Sequence, residues 1–88
     1  MELNLLLDNR DLKFSSPSLS GEGLDDLIKN LKTQKIDRVT ISGESKSYTF
    51  LRQVALFINI LVKTQETELR LESKSFKIVG CLLFPIYE

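Results

Sequence analysis

The sequence predicts a small single-domain α/β (α+β) fold over residues 1–88, with elements in the order β-β-α-β-α-β-β and a mixed sheet packed with two helices. Three observations predict it. Leucines alternate with polar residues near both ends of the chain. Two segments between those ends carry apolar residues at helical spacing, and a β-branched stretch separates the two. A chain of 88 residues has room for one core of modest size.

Leu3, Leu5 and Leu7 alternate with Glu2 and Asn4, the period-two signature of a half-buried strand. Asp8-Asn9-Arg10-Asp11 supplies turn residues, and Leu12 and Phe14 resume the alternation, so a hairpin opens the chain. Residues 15–23, rich in Ser, Gly and Pro, read as a loop. Leu24, Leu27, Ile28 and Leu31 follow the i, i+3, i+4, i+7 rule of an amphipathic helix. Asp25 and Asp26 in its first turn and Lys29, Lys32 and Lys35 toward its end complement the helix dipole.

Residues 36–42 predict a strand, with Val39 and Ile41 on one face and Arg38 and Thr40 on the other. A second helix is expected over 47–64. Leu51, Val54, Ala55, Ile58, Leu61 and Val62 make its main face, and Phe50, Phe57 and Ile60 widen the apolar surface beyond it. A helix apolar over most of its circumference needs cover on more than one side, from the first helix or from a second subunit. Leu69 and Leu71 alternate with charged residues in a further strand, and Phe76 and Ile78 mark its return. The closing run CLLFPIYE (81–88) contains Pro85, which cannot donate to a ladder, so it reads as an edge strand or a packed tail.

Composition narrows function. Twelve Lys and Arg balance twelve Asp and Glu, which gives no global attraction to nucleic acid or to an anionic membrane. There is no His, the most accessible proton shuttle near neutral pH and the commonest transition-metal ligand. The single Cys81 excludes a disulfide within the chain and any multi-cysteine metal site; set in an apolar stretch, it reads as a buried thiol in a reducing compartment. The first residues lack the pattern of a signal peptide, and the apolar stretch 54–62 is too short for a membrane span. A cytoplasmic protein is the expectation. Asp25 and Asp26 are adjacent, about 100° apart on a helix, and do not form an acid–base pair. No catalytic, cofactor or metal site is expected.

Two surfaces remain. The first is the turn between the third strand and the second helix. Gly43, Ser45, Lys46 and Ser47 are candidate anion-binding residues there, because a glycine before a helix lets backbone amides converge. The P-loop spacing is absent and Glu44 stands within the turn, so a glycine-relieved turn with a serine helix cap explains the same residues. The second surface is apolar. Phe50, Phe57, Ile60, Leu82, Phe84, Ile86 and Tyr87 are the candidate partner-binding residues, for another protein or for a second copy in a homodimer. The function expected on this basis is a non-enzymatic protein-binding module, a stoichiometric regulator or inhibitor of immunity, antitoxin or anti-defence type, or a self-associating subunit.

The β-β-α-β-α-β order over residues 1–72 resembles the STAS domain of anti-sigma-factor antagonists and transporter-associated modules. The resemblance implies a phosphorylatable serine at the start of the helix after the third strand, Ser45 or Ser47 here, in a region that binds a partner. The family's Asp-Ser-Ser-Gly signature is not present in this chain.

Overall fold

The computed structural model describes residues 1–31 and 34–86. Among the described residues, seven strands and two helices follow in the order β1 (Glu2–Asp8), β2 (Asp11–Ser15), β3 (Ser20–Glu22), α1 (Leu24–Leu31), β4 (Arg38–Glu44), α2 (Tyr48–Gln65), β5 (Glu68–Leu71), β6 (Phe76–Val79) and β7 (Leu82–Pro85). β1 to β5 form one sheet in the order β3-β2-β1-β4-β5, and β6-β7 form a separate hairpin. β1, β4 and β5 run parallel, while β2 and β3 are antiparallel additions at one side. The mixed α+β fold expected from the patterning is the one observed.

Alternation decides which face of the sheet is covered. Leu3, Leu5, Leu7, Leu12, Phe14, Val39 and Ile41 point to one side and are buried with Leu27 and Leu31 of α1 and Leu51, Val54, Ala55, Ile58 and Leu61 of α2. The residues between them on β1 and β2 are exposed, so the opposite face is open. On it, Arg38 bridges Glu2 and Glu68, each at 3.2 Å, tying together the starts of β1, β4 and β5.

Three details differ from the sequence reading. The expected loop 15–23 contains β3, which pairs Ser20, Gly21 and Glu22 with Ser15, Phe14 and Lys13. A tight turn makes this register: Ser16 N–H donates to Leu19 O at 2.7 Å, and Leu19 N–H donates to Ser16 Oγ at 3.0 Å. The third predicted strand begins at Arg38 and reaches Glu44, so Ile36 is fully buried ahead of it rather than within it. Cys81 is exposed, because it sits in the turn between β6 and β7 instead of in an apolar strand.

The cover that α2 requires comes from the C-terminal hairpin. Phe76 and Leu83 are buried within the main core, so Leu83 of the apolar tail belongs to the fold itself.

Candidate functional site

Asn59 organises the apolar surface. On a helix, Leu56, Asn59, Ile60 and Lys63 fall at i, i+3, i+4 and i+7 and therefore share one face. Asn59 Nδ2 donates to Leu83 O at 2.9 Å, and Leu83 N–H donates to Asn59 Oδ1 at 2.7 Å. Leu83 directs both backbone groups away from its hairpin partner Ile78, and the asparagine completes them. The hairpin is thereby fixed beside the helix face that carries Leu56 and Ile60, exposed at 63% and 58%.

The hairpin carries exposed apolar side chains of its own. Its cross-strand pairs put Phe76, Pro85, Ile78 and Leu83 on one side and Lys77, Phe84, Val79 and Leu82 on the other. Leu83 and Phe76 are buried on the first side, while Phe84 and Val79 are exposed on the second. Arg52 and Lys63 on α2 and Lys77 on β6 are exposed as well, so cationic side chains accompany the apolar ones.

Of the contact residues expected from sequence, Ile60, Phe84 and Ile86 are exposed. Phe50 and Phe57 are half-buried and pack against the core, Leu82 is half-buried, and Tyr87 lies outside the described residues. Leu56 and Val79, exposed as well, were not among those expected, nor was Ile78, which is exposed on the other side of the hairpin. The signal for Leu56 was its place at helical spacing from the polar residues Arg52, Asn59 and Lys63; for Ile78 and Val79, no strand-pairing register was legible.

The strand-to-helix turn answers differently. Gly43 has φ +80°, and a Cβ there would collide with the Leu7 carbonyl oxygen and lie 2.8 Å from the Leu7 amide nitrogen. Glycine is required because β1 passes close by, whatever the turn binds. Ser47 is the α2 N-cap, accepting from Phe50 N–H at 3.4 Å, and Ser45 Oγ accepts from Ser47 N–H at 3.1 Å. The Ser45 amide donates to Ser75 Oγ at 3.1 Å, and the Ser75 hydroxyl donates back to Ser45 O at 3.3 Å. Ser45 is buried and Ser47 half-buried, so both candidate modification positions are engaged in the fold.

Beside this turn lies a cleft of about 720 Å³. It opens at the carboxyl ends of β1 and β4, where the chain leaves β1 toward β2 and leaves β4 through α2 toward β5. Ligands of open α/β sheets favour such a crevice. Lys46 and Lys74 line it together with Glu44, Asn9, Tyr48 and the apolar Leu51 and Ile86. Among the described residues, no three His, Cys, Asp or Glu side chains are grouped to hold a metal ion. No helix of the described residues is long and apolar enough to cross a membrane.

Comparison with protein-family models, with curated proteins and with solved structures finds no match to this chain.

Proposed function

We propose that this domain acts without catalysis, by binding another protein through the face formed by α2 and the C-terminal hairpin. One observation carries the reading: Leu56, Ile60, Val79 and Phe84 remain between 41% and 63% exposed after the hairpin has closed onto the helix. Single exposed apolar residues are ordinary, but several gathered on two adjoining elements mark a contact surface. Arg52, Lys63 and Lys77 favour a partner whose apolar contact is bordered by carboxylates. A small regulator or inhibitor that acts by occupying its target fits this arrangement.

The test compares the wild type with Ile60→Glu and Phe84→Ser as baits in lysate of the source cell. A partner retained stoichiometrically by the wild type, lost from both variants and weakened by salt supports the reading. Equal retention by all three, or none by any, overturns it.

The cleft supports a second reading, a binder of small anions. Lys46 and Lys74 supply positive charge beside an apolar wall of Leu51 and Ile86. Phosphate or a nucleotide should then raise the melting temperature, and Lys46→Ala with Lys74→Ala should remove the rise. A panel of anions that leaves the melting temperature unmoved sinks this reading.

A further inference from the structure

We infer that the chain pairs with a second copy of itself along β5, joining two five-stranded sheets edge to edge in antiparallel fashion. This inference is independent of the α2–hairpin reading.

β5 is a terminal strand of the sheet and pairs only with β4 among the described residues. Glu68 N–H donates to Asp37 O and Glu72 N–H donates to Ile41 O, both toward β4. Backbone groups alternate in direction along a strand, so those of Leu69 and Leu71 face outward. Outward-facing groups of this kind are a template for another strand. The opposite edge is different. β3 has only three residues, one of them Gly21, and Pro17 precedes it by a short turn. Short strands and nearby proline are the usual protection of an edge, and β5 carries neither proline nor glycine.

The sequence of β5 is complementary to itself. Its exposed positions carry Glu68 and Arg70, while Leu69 and Leu71 on the core side are only half-buried. An antiparallel pair centred on Leu69 puts Glu68 of each copy opposite Arg70 of the other, twice over by symmetry. Leu69 meets its own counterpart on the core side, which covers a leucine that one chain alone leaves half open. A register centred on Leu71 would need the Ser73 amide, which already donates to Ile41 O at 3.0 Å. A register centred on Arg70 would set Arg70 against its own copy and Glu68 against Glu72, like charges in each case, so Leu69 is the centre. Glu68 also holds Arg38, so the pairing extends an existing charge row, Arg38–Glu68, to Arg70 of the second copy.

The test uses two charge variants of the full chain, Arg70→Glu and Glu68→Arg, with solution mass followed over a dilution series. The wild type should dimerise reversibly. Each variant alone should dimerise about tenfold or more weakly, because like charges then stand opposite each other twice. An equimolar mixture of the two variants should dimerise again, since every opposed pair is once more of opposite sign. Circular dichroism of each variant checks that the monomer fold is kept. A second measurement places the contact. With Cys81→Ser as background, Leu69→Cys should give a disulfide-linked dimer on oxidation, because directly opposed residues of such a pair stand about 5.5 Å apart at Cα. A wild type monomeric at every concentration overturns the inference. So does a dimer that ignores both charge variants, or a mixture that fails to recover.

Discussion

Asn59 and the Leu83 backbone close a two-hydrogen-bond clasp, 2.9 Å in one direction and 2.7 Å in the other, between the middle of α2 and the outer edge of the C-terminal hairpin. The clasp does for β7 what a neighbouring strand would do. It satisfies an edge position, and Pro85, two residues on, has no amide to satisfy. A polar residue on a helix this apolar is thus the joint by which the hairpin is held.

Replacing Asn59 by Leu keeps the branched side-chain skeleton and leaves both Leu83 groups without their partner. The expected cost is about 2 kcal/mol, from a partly buried amide and carbonyl each losing a hydrogen bond. For a domain of this size the melting temperature should fall by roughly 8–16 °C. Hydrogen exchange at the Leu83 amide should accelerate more than exchange at Val39 in the interior strand β4. A variant as stable as the wild type would mean that packing alone holds the hairpin.

Gly43 presents a sharper case. It combines φ +80° with a Cβ position already occupied by the Leu7 backbone. Side chains at flexible ends can yield, but a central strand of the sheet cannot. Gly43→Ala should therefore destabilise the fold by more than about 2 kcal/mol, read by urea denaturation. For the same reason Gly43 variants cannot report on anion binding at the cleft, and Lys46 and Lys74 are the positions to alter.

These two residues also mark how far the sequence was legible. Alternation exposed β1, β2 and β5 because leucine and charge take turns on each, and helical spacing exposed α1 and α2. β3 escaped because Ser-Gly-Glu has neither alternation nor branched side chains; its strand character comes from pairing with β2 across a turn that Ser16 closes. The candidate contact face was readable as an excess of apolar residues, though not as a surface. Phe50 and Phe57 pack against the core while Leu56 stays exposed, a division that the apolar count alone does not reveal. Nothing local to Asn59 announces its partner 24 residues away.

Ser75 joins the hairpin to the turn above α2, as donor to Ser45 O and acceptor from the Ser45 amide. Both residues are buried. Ser75→Ala leaves the Ser45 amide and carbonyl without that partner and should cost about 1–3 kcal/mol. Ser47→Ala, which removes only the helix cap, should cost about 1 kcal/mol. Thermal melts of the two variants give the comparison, and an order reversed from this would show that the cap, not the serine pair, fixes the turn.

Leu83 and Phe84 are adjacent in sequence and opposite in role. Leu83 is 1% exposed within the core, whereas Phe84 is 41% exposed on the outer side of the hairpin. Leu83→Ala should cost about 2–5 kcal/mol, the range for emptying a well-packed leucine site. Phe84→Ser should cost under about 1 kcal/mol, in keeping with a side chain that water already reaches. Equilibrium denaturation of both variants tests the split. If Phe84→Ser proves as damaging as Leu83→Ala, the hairpin packs on both faces, and the surface assigned to a partner is part of the domain's own core.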